Sequence, residues 1–282
     1  MGAGRFGGRG TGYGRVSTSY PAPRTDAPVV VKLGGAILAD AGAVATVWAG
    51  VEALGRPAVV VHGGGPQATT LARALGHEPR IVAGRRVTTD LDLDVALYAL
   101  RGALNARLVG AGRAAGVRAA GVSGADGALV TVRRRPPREV DGAVVDFGHV
   151  GDVEAVDPAL LAALLGAGFV PVVSTVCADA AGALYNVNAD TVAFELAAAL
   201  GAERLDLVTD AGGVRRDADD PATLLRRLTA AEVEAGVAEG WIAGGMRPKL
   251  EVARAALARG VPAVRVCAPA DLAGDGGTTV VP

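Results

Sequence analysis

Two short β-branched runs that end in glycine constrain this chain more than any other feature. VVVKLGG (29–35) and VVVHGGG (59–65) are apolar at nearly every position before the glycines begin. Such a run suits a strand buried on both faces, the condition of a parallel sheet covered by helices. An Ala-rich segment follows the first run to about residue 54, and the helix-like PQATTLARALG (66–76) follows the second. Further strand-like runs stand at 117–124, 169–176, 204–210 and 262–267, and a long periodic segment from Asp90 to about Ala115 reads as a helix. Strands alternating with helices predict parallel βαβ units, hence an α/β fold with a mostly parallel central sheet. Between about 128 and 156 the pattern becomes short polar–apolar alternation with Arg, Pro and Gly, which predicts a β-hairpin excursion.

Composition narrows the function classes. The chain has 282 residues, half of them hydrophobic, enough for one large domain or two intimate lobes. A net charge of −1 leaves no basic excess to drive nucleic-acid binding. Two cysteines, Cys177 and Cys267, argue for a reduced cytoplasmic protein and against a disulfide scaffold. No CxxC or HExxH spacing indicates a metal site, no apolar run is long enough to span a membrane, and the N-terminus lacks a secretory h-region. Residues 1–28, rich in Gly, Arg, Ser and Pro, read as a disordered tail.

In open parallel sheets, ligands bind beyond the carboxyl ends of the strands. Those ends here read Lys32-Leu33-Gly34-Gly35, His62-Gly63-Gly64-Gly65 and Thr209-Asp210-Ala211-Gly212-Gly213, and a later loop reads IAGGMRPK, ending in Lys249. Glycine allows a tight turn and also lets bare amides approach an anion; four glycine groups at one rim favour the anion. GxxxxGK[ST] and the protein-kinase signatures are absent, and GAGRFG (2–7) follows no strand. Phosphoryl transfer needs positioning and positive charge more than covalent help. Of 28 basic residues only Lys32 and Lys249 are lysines, and both stand at this rim; a compact point charge is what lysine offers over arginine. YNVNADT (185–191) supplies Asn186, Asn188 and Asp190, which read either as a helix-capping cluster or as three side chains sharing one face of an extended segment.

Seven stretches, VVVKLGGAIL, VVVHGGGPQ, GRRVTTD, GVSGADG, YNVNADT, LVTDAGGV and IAGGMRPK, occur in the order found in the amino acid kinase family and span about residues 29–267. The chain resembles that family, and within it the acetylglutamate kinase branch. The resemblance implies a three-layer αβα sandwich with two lobes: an acyl-amino-acid and dimerisation lobe (29–180) and a nucleotide lobe (181–282). It implies ATP and Mg²⁺ as co-substrates, a small acyl amino acid as acceptor and a homodimer. Carried over by residue, Lys32 and Lys249 stabilise the transferring phosphoryl group and Asp190 orients both. Gly34, Gly35, Gly64 and Gly65 offer amides to phosphate and to the attacked carboxylate. Arg86 pairs with the substrate α-carboxylate, and Asn186 and Asn188 hold the acylated amino acid. Thr209, Asp210 and Gly245 line the nucleotide site, and His62 is structural.

Three departures from the family pattern stand out. Arg85 replaces the usual Leu before Arg86, which either is solvated or widens anion recognition. Residues 264–282 read as a short loop in place of the family's C-terminal turn and helix, and the N-terminal tail lacks an amphipathic helix; together these predict no feedback by free arginine. RRRPPR (133–138) reads as a solvated hairpin tip or as a basic hook for a small acidic carrier protein bearing the substrate. A non-catalytic amino-acid sensor on the same fold is a further alternative.

Overall fold

A computed structural model describes residues 26–282; the expectation for the tail falls almost wholly outside the described residues. Eight strands form the main sheet: β1 (Val29–Leu33), β2 (Ala58–His62), β3 (Ala119–Ser123), β4 (Val170–Ser174), β5 (Arg204–Val208), β6 (Arg227–Thr229), β7 (Val264–Cys267) and β8 (Thr278–Val281). Their order is β6-β8-β7-β5-β1-β2-β4-β3. The six strands from β7 to β3 are mutually parallel. β8 runs antiparallel to β7 and parallel to β6, so two reversed strands close one edge.

The helices are α1 (Gly35–Ala39), α2 (Ala41–Ala53), α3 (Gly65–Ala74), α4 (Asp90–Ala96), α5 (Asn105–Ala114), α6 (Ala159–Gly166), α7 (Ala189–Ala199), α8 (Ala230–Ala238) and α9 (Met246–Ala258). Alternation along β1 shows how they cover the sheet. Val29, Val31 and Leu33 enter a core with Val47, Trp48 and Val51 of α2 and Leu108 of α5. Val30 enters the opposite core with Val192, Ala193 and Leu196 of α7 and Leu250 and Ala253 of α9. Two cores on two faces of one sheet make the three-layer sandwich. At about 1.5–3 kcal/mol for each fully buried Val or Leu side chain, these cores supply the main drive to fold.

The register determines where the loops emerge. Ser123, Ser174, His62, Leu33, Val208 and Cys267 form one lateral row across the parallel strands. The residues that follow, Gly34, Gly63, Thr175 and Thr209 among them, therefore leave the sheet at the same edge. Above it sits a second, four-stranded sheet of Val130–Arg134, Gly151–Val156, Val176–Ala178 and Leu184–Asn186, with the hairpin Arg138–Val140/Ala143–Val145 beside it. This is the expected excursion, larger than a single hairpin.

The structure departs from the sequence reading in three places. The Ala-rich segment after β1 breaks at Asp40, whose carboxylate caps α2 by accepting from the Gly42 and Ala43 amides. The long helix from Asp90 passes through a π-helical stretch, Leu97–Leu104, before α5. After the expected strand at 264–267 the chain is not all loop: β8 inserts between β6 and β7, and its pairing with β6 joins positions about fifty residues apart and leaves no local sequence signal.

Candidate active site

Lys32 is the one polar side chain in β1. Side chains two apart on a strand share a face, so Lys32 points to the side of Val30, where α7 lies. Its Nζ meets Asp190 Oδ1 at 2.7 Å, with the lysine side chain 15% and the carboxylate 27% exposed. Asp190 stands in the first turn of α7, where the helix dipole favours a carboxylate. A lysine on the apolar face of a central strand would be costly without that partner.

Both readings of the Asn-rich segment hold at once. Asn188 is the N-cap of α7, its Oδ1 accepting from the Asp190 amide at 2.7 Å and the Thr191 amide at 3.3 Å. Asn186, Asn188 and Asp190 nevertheless all line a single cavity of ≈ 680 Å³ together with Lys32. Capping occupies the oxygen of Asn188 and leaves its amide nitrogen for a ligand.

The glycines enter the same cavity through two helix starts. Gly34 caps α1 and Gly64 caps α3, neither with a side-chain hydrogen bond. Elsewhere Asp40, Thr89, Asn188 and Thr229 cap α2, α4, α7 and α8 through side-chain oxygens. At α3, where Pro66 has no N–H, the amides of Gly65 and Gln67 are left without a side-chain cap, an arrangement that attracts an anion. Gly64 has φ +148°, and a Cβ there would lie 2.3 Å from Leu104 Cδ1 and 2.6 Å from Leu100 Cδ2, so no other residue fits without rearrangement. Gly65 has open space around it. Gln67 ties the two helix starts together by donating from Nε2 to the Gly35 carbonyl at 3.2 Å.

Beneath the glycines His62 is fully buried. Its Nδ1 sits 2.8 Å from the Gly63 carbonyl, which can only accept, so Nδ1 carries the hydrogen. Nε2 then accepts from Asn105 Nδ2 at 3.1 Å, while Asn105 also donates to the Val172 carbonyl at 2.9 Å. Burial lowers the His62 pKa to about 4, against a smaller opposing effect of the Gly63 contact. A neutral, single-tautomer imidazole thus anchors the glycine turn, as expected for a structural histidine.

Arg86 lines the cavity and is 10% exposed. Its Nη2 donates to Thr69 Oγ1 at 2.6 Å and to the Gly65 carbonyl at 3.3 Å, and Nη1 lies 3.4 Å from Asp92 Oδ1. Asp92 is buried and closes a capping box with Thr89. Burial works to raise its pKa, but the Thr89 hydroxyl and amide and the neighbouring His77 outweigh it and hold the carboxyl below its ordinary range. His77 Nε2 is 3.1 Å from Asp92 Oδ2 but too poorly aligned to count as a hydrogen bond. Thr88 fastens this arginine strand to the second sheet: its amide donates to the Phe147 carbonyl and its carbonyl accepts from the His149 amide.

The structure brings Lys32, Asp190, Gly35, Gly64, Gly65, Arg86, Asn186 and Asn188 to one cavity and leaves the remaining expected residues outside it. Lys249, on the first turn of α9, donates from Nζ to the Gly245 carbonyl at 2.9 Å. Asp190 is paired with Lys32 and not with Lys249, contrary to the expectation that it orients both. Gly245 is the N-cap of α9, again without a side-chain cap. Thr209 and Asp210 follow β5 at the rim, where Asp210 Oδ1 accepts from the Thr209 hydroxyl and the Ala211 amide, both at 3.0 Å. Sequence reasoning missed Thr69, Asp92, Asn105 and Arg135. The T-x-x-D spacing of Thr89 and Asp92 announces a cap, but nothing in it announces the contact with Arg86.

The RRRPPR run also resolves. Arg133, Arg134, Arg135 and Arg138 each have a carboxylate within 4.0 Å, from Glu154, Asp146, Asp152 and Asp152 respectively. Arg135 is separated from the others by burial and lines the cavity.

A helix-covered parallel sheet with a lysine–aspartate pair and a bare helix start at its carboxyl rim defines a site for an anionic ligand. The model of the amino acid kinase family matches residues 27–268, and the chain belongs to that family. It is 45% identical to the acetylglutamate kinase of Symbiobacterium thermophilum over 84% of this chain and 83% of that one. It is 43% identical to the acetylglutamate kinase of Sorangium cellulosum over 94% of this chain and 99% of that one. Among solved structures, N-acetylglutamate synthase from Neisseria gonorrhoeae complexed with coenzyme A and N-acetyl-glutamate matches with a TM-score of 0.75 at 26% identity, covering 91% of this chain and 59% of that one. Giardia carbamate kinase shares the fold, with a TM-score of 0.65 at 15% identity over 91% of this chain and 99% of that one.

Proposed function

We infer that this chain transfers the γ-phosphoryl group of ATP to the side-chain carboxylate of N-acetyl-L-glutamate, giving an acyl phosphate, the carboxylate-kinase step of arginine biosynthesis. One observation carries the reading: Lys32, held by Asp190, lines the same cavity as the uncapped start of α3 and Arg86. The relatives named acetylglutamate kinase support the choice of acceptor.

The acceptor carboxylate has an ordinary pKa of about 4.3 and is ionised at neutral pH, so no general base is required. A carboxylate oxygen attacks the γ-phosphorus; the bond to the β,γ-bridging oxygen breaks and its electron pair leaves with ADP. Two anions must meet, and the residues answer that need. Arg86 receives the α-carboxylate, with its Nη atoms steadied by Thr69 and Asp92. The amides of Gly64 and Gly65 and the Lys32 ammonium receive negative charge from the reacting carboxylate and the phosphoryl group, while Gly34 and Gly35 shape the adjoining turn. Asn186 and the free amide of Asn188 receive the acylated amino acid. Thr209, Asp210 and Gly245 border the nucleotide, which arrives with Mg²⁺ as MgATP. Lys249 is assigned to the departing phosphate chain, which would draw its ammonium from the Gly245 carbonyl.

Residues 29–180 are read as the acceptor half and 181–282 as the nucleotide half, astride one continuous sheet, with Asn186 and Asn188 reaching the acceptor cavity from the second half. A homodimer through the helical stretch Asp90–Leu104 is supported by two of its apolar side chains, Leu91 and Tyr98, being 41% and 63% exposed. A carrier-linked substrate finds less support, because the arginines proposed as its hook are each already paired.

The test is a hydroxylamine trap. Purified protein with MgATP and N-acetyl-L-glutamate should yield the γ-hydroxamate and ADP in equal amounts, and neither without the acceptor. ADP release that ignores the acceptor would overturn the assignment.

A further inference from the structure

One wall of the acceptor cavity carries more positive charge than its own carboxylates balance. Arg85, Arg86 and Arg135 all line it. Asp92 serves Arg86 at 3.4 Å, and Asp152 is shared between Arg135 at 2.7 Å and Arg138 at 3.2 Å. Arg85 makes no hydrogen bond or ion pair among the described residues. Burial, and then the like charges of Arg135 and Arg138, lower its pKa despite a weaker pull from Asp152. Arg85 is an exposed residue at the cavity rim, near two like charges and with no carboxylate within ion-pair distance.

Geometry separates this charge from the one assigned to the α-carboxylate. Arg85 and Arg86 are consecutive on a two-residue strand paired with Ile81–Val82. Consecutive strand residues leave the backbone on opposite sides, yet both reach the cavity, so they meet different parts of a ligand. Arg135, only 8% exposed, is fixed by Asp152 and lies over the Phe147 ring at 5.9 Å. The cavity volume of ≈ 680 Å³ falls within the range of about 300–1,000 Å³ typical of small-molecule sites, leaving room beyond an acetyl group. The other exposed arginines nearby, Arg133, Arg134 and Arg138, are paired within the chain, which favours a small ligand reaching inwards over a protein surface docking from outside.

We propose that Arg85 and Arg135 form a second anion subsite in the acceptor cavity, and that it takes a carboxylate at the end of the ligand's N-acyl chain, as in N-succinyl-L-glutamate. The proposal rests on the reading of this cavity as an N-acylglutamate site. The distal carboxylate gains a charge-assisted contact with Arg85, and the γ-carboxylate remains at the glycine amides and Lys32.

The experiment compares N-succinyl-L-glutamate with N-butyryl-L-glutamate, which has the same chain length and no distal charge, alongside N-acetyl-L-glutamate. Each is measured by hydroxamate formation and by calorimetric binding to the full chain. A charge-assisted contact of this kind corresponds to roughly tenfold or more in affinity, so the succinyl compound should exceed the butyryl compound by that ratio in kcat/KM and show a Kd lower by the same ratio. In Arg85→Leu and Arg85→Gln the ratio should fall towards one. Equal use of the two compounds by the unaltered chain, or a ratio that survives both substitutions, overturns the proposal. Failure of N-acetyl-L-glutamate to react strikes the underlying assignment separately, and the ratio of binding constants still decides the subsite.

Discussion

Lys32 Nζ and Asp190 Oδ1 meet at 2.7 Å across two elements nearly 160 residues apart in sequence, the middle strand of the sheet and the first turn of α7. The pair fixes the height of the ammonium at the carboxyl rim. Asp190→Asn keeps the shape and removes the charge, leaving Lys32 free to bend towards solvent. Turnover should fall by about 10²–10³, the scale for losing one preorganised charge contact, while the Tm moves by only a few degrees. Lys32→Arg should not rescue, because a planar guanidinium cannot replace a compact ammonium at that spot. Steady-state kinetics with a melting curve on each variant decide it; unchanged kcat in Asp190→Asn would remove the pair from the mechanism.

Arg86 and Asp92 should separate binding from stability. Arg86→Ala is expected to raise the acceptor KM far more than the ATP KM, since its assigned partner is the α-carboxylate. Asp92→Asn weakens the support of Arg86 and replaces the charged acceptor of the α4 capping box by a neutral one. The Asp92 carboxyl is held below its ordinary value of 3.8 in the folded chain, so its stabilising effect is complete above pH 3.8 and is lost as the pH falls through the folded value. Chemical denaturation should therefore show Asp92→Asn less stable than the parent at pH 7, with the gap closing below pH 3.8. A gap independent of pH would mean the carboxylate charge is immaterial.

Gly64→Ala tests the bare helix start directly. The added methyl meets Leu104 and Leu100 at 2.3 and 2.6 Å, in a backbone conformation that side chains rarely adopt. Overpacking of this type costs about 1–3 kcal/mol, and the shift it forces displaces the first amides of α3. Activity should drop well before stability is exhausted. Gly65→Ala, where a Cβ has open space, should keep the parent's melting temperature and serves as the control for stability; equal losses of melting temperature in the two variants would show that crowding by Leu100 and Leu104 is not the cause.

Much of this site was legible because its signals are local. The glycine groups follow apolar strands, Lys32 interrupts such a strand, and Asn186, Asn188 and Asp190 sit two apart before a helix. Where the reading stopped, the missing information was tertiary. Lys249 follows a glycine loop as a phosphate-binding residue would, but whether its ammonium enters the cavity or folds back on Gly245 depends on the start of α9 at Met246. The C-terminal TTVV was read as loop because its partners are a three-residue strand some fifty positions earlier and an antiparallel neighbour. A π-helical stretch shares the apolar pattern of the α-helices around it, so Leu97–Leu104 carried no mark. Arg135 sat inside a run of arginines, and composition cannot say which member of a run is buried.

Lys249 supplies a prediction that its resting contact sharpens. Its Nζ is held by the Gly245 carbonyl at 2.9 Å, outside the acceptor cavity. If the nucleotide recruits it, Lys249→Ala should reduce kcat by about 10²-fold with a smaller change in nucleotide Kd. If Lys249 only caps its own helix turn, kcat will hold and the melting temperature alone will shift.

His62 provides the clearest dependence on pH. Its neutral imidazole donates to the Gly63 carbonyl and accepts from Asn105, and burial lowers its pKa from 6.5 to about 4. The unfolded chain binds a proton at this residue below pH 6.5, whereas the folded chain resists until about pH 4. Stability is therefore complete above pH 6.5 and declines as the pH falls towards 4, by at most about 3 kcal/mol for a shift of this size. His62→Asn retains a donor near the Gly63 carbonyl but cannot titrate. It should be less stable at pH 8, having lost the Asn105 contact and left a gap, yet its stability should fall less steeply between pH 6.5 and 4.5. Urea midpoints across that interval provide the measurement, and parallel slopes in the two proteins would show that His62 already takes up its proton in the folded state. In the folded chain the same protonation comes only near pH 4, so the anchor of the glycine turn stays intact between pH 6.5 and 4.5, and any His62-dependent loss of acceptor binding should set in only as the pH approaches 4 and be missing from His62→Asn.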